Sequence, residues 1–252
     1  MDRFFVDKAS IDTENGKCTI TGEDVKHITK VLRYREGEKL EVCDGDDNEY
    51  VAEIVSMSKD EVNLDIIEKR DIKRESDIRV RLYQGMPKGP KMEYILQKLT
   101  EAGIDEIILV DTKRSVAKVD SKKEGKKIER WERIMYEAAK QSKRGRIPSL
   151  KAVLSFKETL EDMKRNDLNL CPYEDERNIP MMKEIKGSDA KTIGIFIGPE
   201  GGIADEEVAS LKENGAKVVT LGPRIFRTET AGLVATSIVQ YELGDIGRLE
   251  EE

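Results

Sequence analysis

Histidine and cysteine are scarce in this chain of 252 residues, which contains one histidine, His27, and three cysteines. Cys18, Cys43 and Cys171 are odd in number and widely spaced, so they predict neither a disulfide framework nor a CxxC metal motif. A single histidine cannot complete a zinc site built from several histidines. We therefore expect no metal ion in this protein.

Long apolar runs are also missing from the sequence. Hydrophobic residues make up 38% of the chain, and no stretch approaches the roughly 20 apolar residues that a membrane span requires. The opening MDRFFVDKAS lacks the basic stretch followed by an apolar run that marks a secretory signal. We expect a cytoplasmic protein with room for one large domain or two smaller ones.

Acidic residues outnumber basic ones, and the formal net charge is -7. This balance argues against a histone-like protein that binds DNA without regard to sequence. The positive charges are nevertheless concentrated, because residues 113–151 contain 14 Lys and Arg against 5 Asp and Glu. Such a block is able to neutralise phosphates locally, and the alternative is a solvated helix face that carries ion pairs.

The first 72 residues predict a β-rich domain. In residues 40–54, alternating apolar positions flank a cluster of Asp, Gly and Asn, which is typical of a β-hairpin. Residues 62–66 alternate in the same way, whereas apolar positions in residues 25–32 recur at helical spacing. We expect a small β-barrel with one inserted helix, which ends at the charged stretch 69–77.

Residues 73–252 predict an α/β domain, because strand patterns alternate with helix patterns and this order indicates a largely parallel sheet. The strand candidates are IRVRLYQ (78–84), DEIILV (105–110), DLNL (167–170), TIGIFI (192–197) and KVVTL (217–221). The helix candidates are 91–102, a basic helix near 122–142, a helix that opens with the capping-box pattern Ser155–Glu158, 206–215 and 230–243.

Two glycine-rich loops follow strands of the predicted sheet, at the edge where ligands bind in α/β folds. GPEGG (Gly198–Gly202) comes after TIGIFI, and GPRIFRTETAG (Gly222–Gly232) comes after KVVTL. Glycines permit positive φ and let backbone amides approach a ligand closely, so the two loops predict one shared pocket. The alternative is that Gly-Pro simply forms tight turns where strands end.

The content of the second loop favours a pocket. Within seven residues it holds Arg224, Arg227, Thr228, Glu229 and Thr230, a density of hydrogen-bonding groups that a connector does not need. Known nucleotide motifs do not match, because the chain lacks both G-x-G-x-x-G at this point and G-x-x-x-x-G-K-[ST] anywhere.

The loops resemble a known family. IGPEGG, followed about two dozen residues later by LGPRIFRTETA, is similar to the signature of the RsmE family, which comprises 16S rRNA uridine N3-methyltransferases of the SPOUT superfamily. The likeness covers nearly the whole chain and includes RFF, HITKVLRYREGE, PKGPKMEYILQKLTEAG, KRSVAK and ERWERIMYEAAKQSKR.

This resemblance implies a PUA-like RNA-binding β-barrel in residues 1–72 and a SPOUT α/β methyltransferase domain with a trefoil knot in residues 73–252. It also implies a homodimer that uses S-adenosylmethionine and acts on 16S rRNA or the small ribosomal subunit, with no DNA or membrane partner. By motif match, the cofactor-binding residues are Leu170, Pro172, Ile197, Gly198, Pro199, Glu200, Gly201, Gly202, Leu221, Gly222, Ile225, Phe226, Arg227, Thr228, Thr230 and Ala231. We expect a tryptophan at Gly201 to fill this pocket.

Methylation of uracil at N3 requires that N3 lose its proton, and cations near O2 or O4 favour the resulting anion. Arg224 and Arg227 are the candidate cations, although either is also able to anchor its loop to backbone carbonyls. Glu229 is a candidate proton acceptor. The alternative for Glu229 is a structural role at the start of the last helix, where acidic residues are favourable.

RNA contacts are expected from the small domain and the basic block, with the target base flipped into the pocket. The candidates are Arg3, Arg33, Lys88, Lys91, Arg114, Lys143, Arg144 and Arg146, each with an ordinary surface charge as the alternative. Two other functions stay open: a non-catalytic ribosome-assembly factor that binds RNA, and a methyltransferase of another RNA such as tRNA. The intact glycine loops argue against the first.

Overall fold

A computed structural model describes residues 1–71, 73–115 and 124–248, and these residues form two compact units. The first unit consists of Met1–Glu75 together with Ala139–Ile147, and the second of Ser76–Ala138 together with Pro148–Glu252. The predicted division after residue 72 does not anticipate the segment 139–147, which lies far along the chain. No helix within the described ranges is long and apolar enough to cross a membrane.

The first unit is built on a six-stranded sheet in the order β1-β4-β5-β6-β3-β2. Its strands are β1 (Arg3–Phe5), β2 (Ile11–Asp12), β3 (Lys17–Thr21), β4 (Lys39–Cys43), β5 (Glu49–Met57) and β6 (Glu61–Arg70). The predicted hairpin is confirmed, since β4 and β5 pair antiparallel with Leu40 opposite Ala52 and Val42 opposite Tyr50. Helix α1 (Glu23–Lys26) continues into a π-helical turn, His27–Leu32, which Arg33 ends in a left-handed conformation.

Alternation of side chains in these strands gives the first unit its core. The inward-facing side chains of β4 to β6 pack with Phe4, Val25 and Ile28, all of which are buried. Period-2 patterns therefore identify both the strands and the face that they bury.

The second unit is an α/β structure with a six-stranded sheet in the order β12-β10-β11-β7-β8-β9, in which every neighbouring pair is parallel. Its strands are β7 (Arg79–Gly85), β8 (Glu106–Asp111), β9 (Ser149–Ser155), β10 (Leu168–Pro172), β11 (Thr192–Ile197) and β12 (Lys217–Val219). The helices are α2 (Lys91–Glu101), α3 (Glu124–Gln141), α4 (Phe156–Met163), α5 (Met181–Ile185), α6 (Asp205–Glu213) and α7 (Thr228–Glu242).

Two apolar clusters cover the sheet of the second unit. One contains α2, α7 and the buried Trp131 and Met135 of α3, and the other lies between the sheet and α4 and α6. Strands that are buried on both faces consist of consecutive hydrophobic residues, as the run IILV in β8 does. Because all six strands run in the same direction, the loops that follow β7, β10, β11 and β12 come together at one edge.

Candidate functional site

A cavity of about 910 Å³ lies at this carboxyl-terminal edge. Four segments line it: the start of α2, the segment after β10, the loop after β11, and the segment from Thr220 to the start of α7. The lining residues are Lys91, Pro172, Tyr173, Glu174, Glu176, Arg177, Ile197, Gly198, Pro199, Glu200, Gly202, Ile203, Thr220, Leu221, Gly222, Pro223, Arg224, Ile225, Phe226, Arg227, Thr228 and Ala231. The two predicted glycine loops thus border one pocket.

Two glycines of the GPEGG loop are constrained, Gly198 by close packing and Gly202 by its backbone conformation. A Cβ atom on Gly198 would lie 2.7 Å from Cγ1 of Ile203, and one on Gly202 would lie 2.5 Å from Oε1 of Glu174. Gly202 also has a φ of +71°, which favours glycine. The glycines therefore let this loop pack closely along the cavity.

Gly85 is a residue of this site that the sequence analysis missed. It ends β7, and a Cβ atom there would lie 2.6 Å from Cδ and 2.7 Å from the backbone nitrogen of Pro199. These distances are well inside ordinary carbon contacts of about 3.5–4.0 Å. Its signal in the sequence is a glycine at the carboxyl end of a strand, the same position that marks Gly198.

Thr228 joins the two glycine loops through its hydroxyl group. The hydroxyl donates to the carbonyl oxygen of Gly198 at 2.6 Å and accepts from Nε2 of Gln84 at 2.9 Å. Thr228 is buried and Gln84 is fully buried, and Nε2 of Gln84 also donates to the carbonyl oxygen of Gly85 at 2.9 Å. Gln84 of β7 thus contacts the second glycine loop directly through Thr228, and periodicity alone gave no reason to select it.

Replacing Thr228 by valine is expected to lower the free energy of unfolding of the second unit by about 1–2 kcal/mol, because a buried carbonyl and a buried amide each lose a partner. Urea unfolding followed by the fluorescence of Trp131, the single tryptophan, measures this. Thr228→Ser keeps the hydroxyl and is the control. Equal urea midpoints for the valine variant and the wild type would contradict the bridging role.

Three charged side chains form a cluster at one side of the cavity. Lys91 Nζ lies 3.1 Å from Oε1 of Glu200 and 3.3 Å from Oε2 of Glu229. The hydrogen bond to Glu200 has the largest effect on the pKa of the Lys91 ammonium and raises it, and the contact with Glu229 raises this pKa further. Burial raises the pKa of Glu200, but backbone N–H groups and Lys91 outweigh burial and hold this pKa below its ordinary value. Both Lys91 and Glu200 are therefore charged near neutral pH.

The structure places most of the predicted cofactor-binding residues around the cavity, and three of them lie outside its lining. Leu170 is fully buried in the apolar core instead of lining the cavity, because its side chain points into the sheet packing. Gly201 and Thr230 are also absent from the lining. A Cβ atom on Gly201 would lie 3.2 Å from Cβ of Arg114, so a tryptophan there is directed at Arg114 and not into the pocket.

Among the candidate catalytic residues, Arg224 and Arg227 line the cavity and are exposed, whereas Glu229 does not line it. Glu229 stands in the first turn of α7 and pairs with Lys91.

The sequence analysis also missed the segment after β10. Its members Tyr173, Glu174, Glu176 and Arg177 line the cavity, and their signal is the same position after a strand that marked the glycine loops.

The basic residues proposed for RNA contacts fall into separate groups. In the second unit, Lys88 is exposed, and the exposed Arg114 donates to the carbonyl of Gly201 at 3.2 Å. In the first unit, Arg33 is exposed and Arg146 is half-buried, while Lys143 is half-buried and pairs with Glu41. Part of the basic block, including the KRSVAK motif beyond residue 115, lies outside the described residues.

Arg3 and Arg144, two of the proposed RNA contacts, have side chains that the structure buries in ion pairs. Arg3 contacts Glu49 and donates to the carbonyl of Arg144 at 2.6 Å. Arg144 donates from Nε and Nη2 to the two carboxylate oxygens of Glu75, at 3.2 and 2.5 Å. Both side chains are almost fully buried and hold the segment 139–147 in the first unit, so we expect no phosphate contact from either.

Known proteins match this sequence and structure closely. A family model described as an RNA methyltransferase domain matches residues 74–240, and one described as an RNA methyltransferase PUA domain matches residues 20–67. The ribosomal RNA small subunit methyltransferase E of Bacillus subtilis is 40% identical over 96% of this chain and 97% of its own length. The Mycobacterium tuberculosis protein of that name is 30% identical over 94% of this chain and 90% of its own.

A solved structure agrees with these sequence relatives. The ribosomal RNA small subunit methyltransferase E of Neisseria gonorrhoeae, bound to S-adenosyl methionine, superposes with a TM-score of 0.86 at 28% identity, covering 97% of this chain and 99% of that one.

Proposed function

Because this chain belongs to the ribosomal RNA small subunit methyltransferase E family, we propose that it transfers a methyl group from S-adenosylmethionine to N3 of a uridine in 16S rRNA. Membership of the family confirms the predicted fold class, a SPOUT α/β methyltransferase domain with a smaller PUA-like domain. The observation that carries the proposal is that the two glycine loops line one cavity, with two arginines at its border.

The cavity fits S-adenosylmethionine in size and in the chemistry of its walls. Its volume lies within the range of small-molecule sites, and its lining combines apolar side chains, glycines and charged side chains. Apolar residues such as Leu221 and Phe226 suit the adenine ring, while the glycine walls let N–H and C=O groups approach polar atoms. The residues that would hold the cofactor are Pro172, Ile197–Pro199, Glu200, Gly202, Leu221, Gly222, Ile225–Thr228 and Ala231.

The protein's part in the reaction is alignment and charge. S-adenosylmethionine supplies a methyl group that its sulfonium already activates. The chain must hold uracil N3 in line with that group and favour loss of the N3 proton. Arg224 and Arg227, both exposed at the cavity, are placed to stabilise the anionic base. In this proposal Glu229 has the structural role, because it pairs with Lys91 and does not itself line the cavity.

RNA contacts in this proposal come from the exposed cations Arg33, Lys88 and Arg114 and from the half-buried cations Lys143 and Arg146. Phosphate contacts from these residues would position the RNA, and the target base would enter the cavity after flipping out of its stack. The protein would act in the cytoplasm, where the small ribosomal subunit is assembled.

We also propose that the protein is a homodimer, and exposed aromatic rings support this. Tyr94 of α2 and Tyr241 of α7 are 46% and 63% exposed, and α2 packs against α7. Aromatic residues are enriched at subunit interfaces. Light scattering that returns the 28.6 kDa mass of one chain would contradict the dimer.

Methyl transfer to rRNA tests the proposed function directly. The purified protein is incubated with S-adenosylmethionine labelled in the methyl group, and with either 16S rRNA or small subunits from cells that lack this enzyme. The RNA is then digested to nucleosides. We expect label in 3-methyluridine at one site, and tRNA serves as the control substrate. Label in tRNA alone, or in no RNA, would overturn the proposal.

A further inference from the structure

Lys91 connects three segments that border the cavity. Its own segment leads from β7 into α2, and its ammonium contacts Glu200 of the first glycine loop and Glu229 of α7. Glu200 Oε1 also accepts from the backbone N–H of Lys88 at 3.0 Å, which ties the loop before α2 to GPEGG a second time. We call Lys91, Glu200 and Glu229 the Lys91 cluster.

Helix stability does not explain this lysine. Lys91 is the first residue of α2, where the helix dipole disfavours a cation and favours an acidic side chain. Its side chain is 31% exposed, and the side chain of Glu229 is 16% exposed. The local electrostatics of α2 would thus improve without the positive charge, so the benefit of Lys91 lies in its contacts with the other two segments.

The contacts have consequences for the pocket because both acidic residues are next to groups that shape it. Glu200 follows Pro199, which packs against Gly85. Glu229 follows Thr228, whose hydroxyl donates a hydrogen bond to the carbonyl oxygen of Gly198. Oε2 of Glu229 is shielded from solvent. Without the ammonium it would be a partly buried negative charge that has lost its counter-charge, and such a group moves towards water.

We propose that Lys91 is a positioning residue for the methyl donor: its ammonium holds Glu200 and Glu229 and thereby sets the separation of the two glycine loops. The inference rests on the proposed function and assigns Lys91 to cofactor binding instead of phosphate contact. Lys91 itself lines the cavity, consistent with action on the pocket.

Lys91→Met removes the charge and keeps the length of the side chain. We expect the dissociation constant for S-adenosylmethionine, measured by calorimetry, to rise roughly 5- to 30-fold, because two partly exposed ion pairs and the loop spacing are lost. The affinity for a 16S rRNA transcript, measured without cofactor at several salt concentrations, should change less than about twofold. Lys91→Arg keeps a cation and should restore cofactor affinity.

Lys98→Met is the matched control, because Lys98 lies on the same helix, has a similarly exposed side chain and pairs with Glu101. It should leave both affinities unchanged. Wild-type cofactor affinity in Lys91→Met, combined with weaker RNA binding and a shallower salt dependence, would overturn the inference and make Lys91 a phosphate contact. Failure of the wild-type protein to bind S-adenosylmethionine would instead contradict the proposed function.

A double-mutant cycle of Lys91→Met with Glu229→Gln tests the coupling, and its Glu229→Gln arm changes a residue that does not line the cavity. Glu229→Gln alone should weaken cofactor binding, and the double variant Lys91→Met with Glu229→Gln should be little weaker than Lys91→Met alone. Additive effects would overturn the inference. If Lys91→Met lowers the urea midpoint, a second pair of variants tests the positioning role of Lys91. These are Lys91→Arg and Glu229→Gln, which retain more of the native contacts, and their affinities for S-adenosylmethionine and for the 16S rRNA transcript are measured in the same way.

Discussion

Replacing Gly85 by alanine is expected to lower both the affinity for S-adenosylmethionine and the rate of methyl transfer about a hundredfold. The added methyl group would lie 2.6–2.7 Å from two atoms of Pro199, one of them in the backbone. Relief of this clash requires the GPEGG loop to move by about an ångström, and displacements of this size in a catalytic site reduce rates by roughly a factor of 100. Calorimetry and the methyl-transfer assay measure the two effects.

The same variant should lose about 1–3 kcal/mol of stability, as overpacked sites do. Gly125→Ala is the matched control, since a Cβ atom at Gly125 meets no neighbour within 4 Å and alanine favours the helix in which it lies. Wild-type affinity for the cofactor in Gly85→Ala would show that the close approach of β7 to Pro199 does not shape the site.

Replacing Arg144 by methionine is expected to destabilise the first unit by about 3 kcal/mol, because Glu75 would keep a buried negative charge without its bidentate partner. Hydrogen exchange of the amides in β4 to β6 reports the opening of this unit separately from the second. Glu75 still accepts from the backbone N–H groups of Gly145 and Arg146, which places the effect at the low end of the range for broken buried pairs.

The control is Lys8→Met, which removes an ion pair of Lys8 with Asp46 whose side chains are 70% and 66% exposed. It should change stability by less than about 0.5 kcal/mol. Two results for Arg144→Met would contradict this prediction: unchanged hydrogen-exchange rates, and weaker RNA binding that depends less on salt. Together they would indicate that Arg144 contacts a phosphate.

The sequence was sufficient for those parts of the site that depend on local chain geometry. Gly-Pro after a buried strand predicted where each glycine loop begins, and parallel strands bring such loops to one edge whatever the details of packing. The capping-box pattern at Ser155 and Glu158 is confirmed in α4, because capping involves residues three positions apart. Trp131 lies in the core, as its place on the apolar stripe of its helix suggests.

The remaining features depend on pairs that are distant in the chain. Whether Arg144 faces solvent is decided by Glu75, 69 positions away, and the position of Lys91 is decided by Glu200 and Glu229. No local pattern records these partners, so charge counting assigned all such cations to the surface. Strand β9 was missed because its side chains are mostly half-buried and its register with β8 is irregular, which weakens the period-2 signal.

The parallel pairing of β7 with β11 has a consequence for the newborn chain. Arg79 and Thr192 are register partners more than a hundred residues apart. At ribosomal synthesis rates of about 5–20 residues per second, β7 is therefore synthesised roughly 6 to 23 s before this neighbour. During that interval the edge of β7 that later pairs with β11 is exposed to aggregation or to chaperones. The methyl-donor pocket is also incomplete, because the loop that follows β11 forms part of its lining. Proteolysis of ribosome-bound chains stalled before residue 192 should therefore find β7 susceptible to cleavage and completed chains resistant.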